Sequence, residues 1–214
     1  MPPVDFKLYM VGDRHQTAGR PLTDVVRAAA EAGVPALQFR EKDLSLRGQF
    51  ELAREIHAIT RHYGMKFLIN DRIDLCLALD ADGVHLPSNG FPAGAARRLL
   101  GPKKWIGMSC HSEKEVKQAE TLGANFAVLG PVFDTPSKRP YGPPLSLSGF
   151  RKIKSTTRLP LFAIGGIDIH KIPAVFSAGA NGVAMISAIT KAGDVRNASR
   201  CILKEIVRTT HPAR

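Results

Sequence analysis

The apolar residues of this chain cluster in short runs that are apolar at successive positions rather than at alternate ones, which is the pattern of strands buried on both faces in a parallel sheet. Eight such runs stand out: Leu8 to Gly12, Ala36 to Arg40, Phe67 to Asn70, Gly83 to Leu86, Trp105 to Ser109, Phe126 to Gly130, Leu161 to Ile164 and Gly182 to Ile186. Between them lie segments with charges on one side and Ala, Leu, Ile or Val on the other, among them Thr23 to Ala32, Arg47 to Tyr63, Glu113 to Leu122 and Asp194 to Arg208. One phrase recurs, a helical run closing on a small residue followed by an apolar strand, in EAGVPALQFRE, ALDADGVHLP, TLGANFAVLGPVF and SAGANGVAMISAI. Eight strand-plus-helix units predict an α/β fold, a (β/α)8 TIM barrel, with residues 1–214 as one domain. An open doubly wound sheet is the competing architecture. It calls for a Gly-rich turn after the first strand, where this chain has Val11-Gly12-Asp13-Arg14.

Composition adds little until charge is counted. The 44% hydrophobic content is that of a globular protein with a substantial core, and no apolar stretch nears the roughly 20 residues of a membrane span. The opening MPPVDFKLYMVGDR lacks a basic region followed by an apolar run, so the expectation is a soluble, cytoplasmic protein with no membrane partner. Cys76, Cys110 and Cys201 are too scattered for a disulfide framework or a zinc cluster. The formal charge of +11 favours anionic ligands. With Lys and Arg dispersed and no nucleic-acid module recognisable, phosphorylated small molecules are expected over nucleic acid.

In a barrel the residues that follow each strand converge on one face, so they can be read as a single ring. Gln38, Arg40, Glu41 and Lys42 follow the second strand, Asn70 and Asp71 the third, Ser109 and His111 the fifth. After the sixth runs GPVFDTPSKRPYGPP, rich in turn residues and carrying Thr135, Ser137, Lys138 and Arg139, which reads as a lid or a phosphate clamp. Tyr141 in that loop fits either packing or closure over a ligand. The seventh strand ends in Gly165-Gly166 and the eighth in Ile186-Ser187, the two loops that hold phosphate in many barrels. Arg40, Lys42 and Lys138 could grip a second, larger anion such as diphosphate, although each alone also suits a solvated surface.

LYMVGDR, LQFREKD, LINDRIDLCLALDADGVHL, IGMSCHS, LGPVFDTPSK, FAIGGI and GVAMISAI resemble, in order and spacing, the signatures of the thiamine phosphate synthase and thiazole tautomerase family, over a core of about residues 7–190. The resemblance implies a TIM barrel, usually a dimer or larger homo-oligomer, that couples a pyrimidine methyl diphosphate to a thiazole phosphate with loss of diphosphate and needs Mg²⁺. Carried over position by position, it implies that Gln38, Arg40 and Lys42 hold the pyrimidine diphosphate, with Asn70 placing the pyrimidine or its diphosphate. Asp71 is the implied metal ligand and Ser109 touches the diphosphate. Thr135 and Ser137 lie on the loop that meets the thiazole phosphate, Lys138 neutralises the leaving group, and Gly166, Ile186 and Ser187 complete the thiazole phosphate site. Arg40, Lys42, Lys138 and His111 are the implied catalytic set.

One departure qualifies the resemblance. After the fourth strand synthases carry Gly-Gln-Glu-Asp, whose Asp is a second metal ligand, whereas this chain reads Pro87-Ser88-Asn89-Gly90. A Leu-Pro-Ser segment resembles the tautomerase branch, in which a histidine at the position of His111 shuttles a proton. His111 equally suits a histidine that satisfies a loop backbone group. Synthase is the favoured expectation because Arg40, Lys42, Asp71 and Lys138 are all present; tautomerase and a non-catalytic binder of thiamine precursors remain as alternatives.

Overall fold

The computed structural model describes residues 1–135 and 143–211. Eight strands, β1 (Leu8–Gly12), β2 (Ala36–Phe39), β3 (Lys66–Asn70), β4 (Gly83–Leu86), β5 (Trp105–Cys110), β6 (Phe126–Leu129), β7 (Leu161–Ile164) and β8 (Gly182–Met185), pair in sequence order. All pairs are parallel, and β8 returns to β1 with Tyr9 opposite Ala184, closing the barrel. Helices α1 (Leu22–Glu31), α2 (Leu46–Tyr63), α3 (Ile73–Ala78), α4 (Ala93–Leu100), α5 (Glu113–Thr121), α6 (Ser146–Lys154), α7 (Ile172–Ser177), α8 (Ser187–Thr190) and α9 (Val195–Thr210) form the outer layer. β2 closes at Phe39, one residue before the predicted end, so Arg40 is the first residue of its loop.

Local chemistry sets the helix limits. Ser45 Oγ accepts the Gly48 amide at the start of α2, and Gly64 takes a left-handed conformation (φ 67°) at its end. Asp194 caps α9 by accepting the Asn197 amide. Alternation then sorts the strand residues between two cores. Leu8, Met10, Leu37, Phe67, Ile69, Val84, Ile106, Leu129, Leu161 and Val183 face the helices, while Tyr9, Ala36, Leu68, Trp105, Phe126, Phe162 and Ala184 fill the barrel.

The two ends of the barrel interior differ. At the N-terminal end Phe6 enters as a plug, 5.7 Å from Trp105 and 5.6 Å from Phe126 between ring centroids, both edge to face. Each ring removed from water contributes about 2–3 kcal/mol. Large rings fit because neighbouring strands are bare there: a Cβ on Gly182 would lie 2.3 Å from Phe162, and one on Gly107 would lie 2.5 Å from Phe126. Toward the C-terminal end the same inward register carries Gln38, Asn70, His85 and Ser109. The closed sheet therefore stands on an aromatic base and opens on a polar mouth.

Candidate functional site

Four polar side chains form the floor of the mouth. His85 is 2% exposed and its Nε2 lies 3.0 Å from Ser109 Oγ, a contact between neighbouring strands; Gln38 Nε2 donates to Tyr9 Oη at 3.5 Å. Burial, with a smaller push from Arg40, drives the His85 pKa down to about 3, so the ring is neutral at physiological pH. Burial likewise raises the Tyr9 phenol above its ordinary value, and Tyr9 stays protonated. His85 Nδ1 is buried with no partner among the described residues, in space that exists because Gly107 has no side chain: a Cβ there would lie 2.7 Å from it. A neutral, uncharged floor with an unsatisfied ring nitrogen suits the polar edge of an aromatic ligand.

Above the floor, the β1, β2 and β3 ends carry charge. Arg40 Nη1 sits 3.0 Å from Asp13 Oδ2, and the Arg40 amide donates to the Gly12 carbonyl at 2.9 Å. Glu41 is buried against Arg14, accepting its amide at 2.8 Å and its guanidinium at 2.9 Å, while Arg14 also pairs with Asp43 at 2.7 Å. Desolvation raises the Glu41 pKa, partly offset by Arg14. These ion pairs fix the loop from which Arg40 and the exposed Lys42 project. Lys42 forms no ion pair among the described residues. Asp71 follows β3 in a left-handed conformation (φ 59°), its amide bonded to the His85 carbonyl at 2.9 Å, and its carboxylate is exposed.

The β6, β7 and β8 ends are built from backbone. The chain after β6 runs on beside β7, with Val132 N bonded to Ile164 O at 2.8 Å and Phe133 N to Gly165 O at 3.1 Å. It returns after residues 136–142 to bond Leu145 N to Pro131 O and Ser146 N to Val132 O. Gly166 is left-handed (φ 62°), and a Cβ on it would lie 2.8 Å from the Asp134 carbonyl, so only glycine allows this approach. Lys171 Nζ takes the Gly166 carbonyl at 2.7 Å and pairs with Asp168. Ile186 turns the chain out of β8 (φ −115°, ψ −92°) so that Ser187 opens α8 at the surface. Thr135 Oγ1 is buried and without a partner among the described residues.

Gln38, Arg40, Lys42, Asn70, Asp71, Ser109, His111, Thr135, Gly166, Ile186 and Ser187 all lie at or just beyond strand C-termini of one barrel. Ser137, Lys138 and Tyr141 fall outside the described residues. His111 Nδ1 lies 2.6 Å from the Gly130 carbonyl and therefore carries the proton, which leaves Nε2 as the acceptor. Two participants were missed from sequence. His85 stands as the one ionisable residue in the buried strand GVHL, a signal that was available; the Asp13–Arg40 pair spans 27 residues and leaves no local trace.

Residues 8–189 match the family described as thiamine monophosphate synthase. A relative from Geobacter sulfurreducens is 46% identical over 203 residues, 95% of each chain. The thiamine-phosphate synthase of Moorella thermoacetica is 41% identical over 201 residues, 94% of this chain and 96% of that one. Among solved structures, a thiamine phosphate pyrophosphorylase from Pyrococcus furiosus superposes with a TM-score of 0.86 at 35% identity, covering 95% of this chain and 96% of that one.

Proposed function

The chain belongs to the thiamine monophosphate synthase family, and from that premise we propose that it is a thiamine-phosphate synthase, a transferase acting on two small phosphorylated substrates. In this reading 4-amino-2-methyl-5-pyrimidinylmethyl diphosphate loses diphosphate as its methylene carbon–oxygen bond breaks. The ring nitrogen of 4-methyl-5-(2-phosphooxyethyl)thiazole then bonds to that carbon, giving thiamine phosphate. The observation that carries the reading is one mouth with two unlike sets of polar groups, each suited to an anion: a cationic arc with a carboxylate at Arg40, Lys42 and Asp71, and a backbone arc at Gly166, Ile186 and Ser187 with the Thr135 hydroxyl, unpartnered among the described residues. Two phosphorylated substrates need two such sites.

Bond cleavage leaves a pyrimidine methyl cation beside a highly charged leaving group, so stabilising departing diphosphate is the main catalytic task. Arg40 supplies a fixed fork of donors and Lys42 a mobile charge, while Lys138 adds a third cation from outside the described residues. Gln38, Asn70, His85 and Ser109 hold the pyrimidine on the uncharged floor, and the β6–β8 backbone arc holds the thiazole phosphate so that its nitrogen faces the carbon. None of these roles requires a general base.

Asp71 fits a bound Mg²⁺: it is an exposed oxygen donor with no ion pair among the described residues, beside the cationic arc where diphosphate would lie. When bound, the ion neutralises charge on the diphosphate oxygens. The His111 geometry supports a second reading, thiazole tautomerase, because Nε2 is left as a proton acceptor at the mouth. One assay separates the two. Purified protein is given both substrates with Mg²⁺ and again with chelator. Metal-dependent thiamine phosphate is expected; absence of product in both arms, with turnover of the non-aromatic thiazole tautomer, would replace synthase by tautomerase.

A further inference from the structure

Closure of the barrel puts β1 between β8 and β2, so the loop that follows β1, residues 13–21, borders both arcs of the mouth. Its first half is tied to the β2 side: Asp13 pairs with Arg40, and Arg14 holds the Glu41 and Asp43 carboxylates. Its second half is tied to the β8 side. The half-buried Arg20 donates from Nη2 to the Thr190 carbonyl at 2.9 Å and from Nη1 to the Gly193 carbonyl at 3.4 Å, while its Nε donates to the Thr17 carbonyl at 3.0 Å. Thr190 closes α8 and carries the restraint back to the start of that turn. Its amide and its hydroxyl donate to the Ile186 carbonyl at 2.9 and 3.1 Å, and Ile186 is the residue whose turned backbone presents Ser187. Arg20 thus acts one step back from the backbone arc, by fixing the residue that fixes Ile186.

Thr17 joins the two halves. It is fully buried, and its hydroxyl lies 2.6 Å from the Arg20 carbonyl and 3.0 Å from the Arg14 carbonyl, one proton serving both acceptors. The turn from Thr17 to Arg20 is closed by the Arg20 amide on the Thr17 carbonyl at 3.3 Å, with Ala18 (φ 54°) and Gly19 (φ 81°) both left-handed. Alanine holds that conformation only where its surroundings over-determine it. The buried Thr17 on one side and the Arg20 fork on the other are those surroundings.

We propose that the β1–α1 loop is the spacer that sets the distance between the two substrate sites: Arg20 is a positioning residue for the thiazole phosphate, and Thr17 is the joint that ties its placement to that of Arg40. The inference rests on the synthase reading and adds to it how two separately held substrates are kept at bonding distance. The new carbon–nitrogen bond needs the thiazole nitrogen in line with the methylene carbon. A misplacement of about 1 Å between bound partners costs about 10²-fold in rate, so an error in spacing is felt in kcat even where each site binds normally.

The test is steady-state coupling kinetics on the full chain, each substrate varied with the other saturating, beside thermal unfolding of every variant. Thr17→Val keeps the shape and removes the hydroxyl; it is expected to lower kcat by about tenfold with each KM within about threefold, and Thr17→Ser to restore kcat. Arg20→Lys keeps the charge and loses the planar fork; it is expected to raise the thiazole phosphate KM by about fivefold or more and to leave the pyrimidine diphosphate KM within about twofold. Parental kcat in Thr17→Val, or a loss that Thr17→Ser does not reverse, overturns the inference. So does an equal rise of both KM values in Arg20→Lys, a split that decides alone if Thr17→Val does not fold. In each of these cases a parent chain that makes thiamine phosphate leaves the synthase reading standing. A parent chain that makes none overturns both.

Discussion

On the β2–β3 side of the mouth the polar groups are the ends of long charged side chains, braced by ion pairs such as Asp13–Arg40; on the β6–β8 side they are peptide groups and short hydroxyls placed by the close packing of Gly165 and Gly166 on the 131–134 segment. The two constructions suit different tasks. A phosphate that stays on its molecule from substrate to product needs constant, shape-selective binding, which rigid backbone supplies at little conformational cost. A diphosphate that gains charge as its bond breaks needs donors whose interaction grows with that charge, which cations supply. The division of labour is open to attack from either side.

The largest effect is expected from the cationic arc. Arg40→Met removes a charged donor but keeps much of the stem that packs beside Asp13, and should lower kcat for coupling by about 10²–10³. The KM for the thiazole phosphate should stay within about threefold, since that substrate is assigned to the other arc. Steady-state kinetics with each substrate varied in turn checks both halves. A variant that raises the thiazole KM as much as it lowers kcat would show one shared anion site and end the comparison.

The reciprocal change is Gly166→Ala. Its Cβ would stand 2.8 Å from the Asp134 carbonyl and 2.9 Å from Phe133 Cβ at a left-handed backbone position, so the loop must shift. The conformation alone costs about 1–2 kcal/mol. A rise of about tenfold in the thiazole phosphate KM is expected, with kcat at saturation changed less than about threefold. Loss of kcat without change in KM would place Gly166 in the chemical step instead.

Between the arcs lies a floor that should carry no charge, and pH tests it. The His85 pKa is depressed from its ordinary 6.5 to about 3, so protonation favours the unfolded chain. Its contribution to stability is complete above about pH 6.5 and is lost as pH falls from there toward 3; between pH 6.5 and 5 the loss is about 2 kcal/mol. His57 shifts in the same direction, which makes a difference measurement necessary. Urea unfolding at pH 7.5 and 5 should show a smaller drop for His85→Gln than for the parent chain, and equal drops would mean that the ring is charged or hydrated in the fold.

Much of this arrangement was legible beforehand, and the reason lies in periodicity. Leu8–Gly12, Gly83–Leu86 and Leu161–Ile164 appear in the structure with the predicted limits because apolar runs between helical segments have no alternative use in a barrel. Strand ends locate Arg40, Asp71 and Gly166 for the same reason. Contacts between strands are another matter. Ser109 meets His85 across 24 residues, and the approach of Gly90 to Asp71 depends on a loop turning back on its neighbour. No local pattern encodes either, since both follow from barrel closure and register rather than from the run of residues around them.

The smallest effect expected is also the most discriminating for the backbone arc. Lys171 reaches the Gly166 carbonyl at 2.7 Å and Asp168 at 2.8 Å, and its ammonium lies 5.0 Å from the Phe133 ring centroid. It is half-buried, and its work is to hold one peptide plane. A part-exposed pair of this kind, open to water on one side, contributes no more than about 1 kcal/mol to stability, so Lys171→Met should fold normally. Its effect should appear only where the orientation of the Gly166 peptide counts, as a rise of about twofold to threefold in the thiazole phosphate KM with kcat and the pyrimidine diphosphate KM unchanged. If instead Lys171 met the substrate phosphate directly, its removal would cost tenfold or more and the loss would shrink steeply with added salt. The size and salt dependence of that one KM therefore decide whether the β7 side binds by placed backbone or by one more cation.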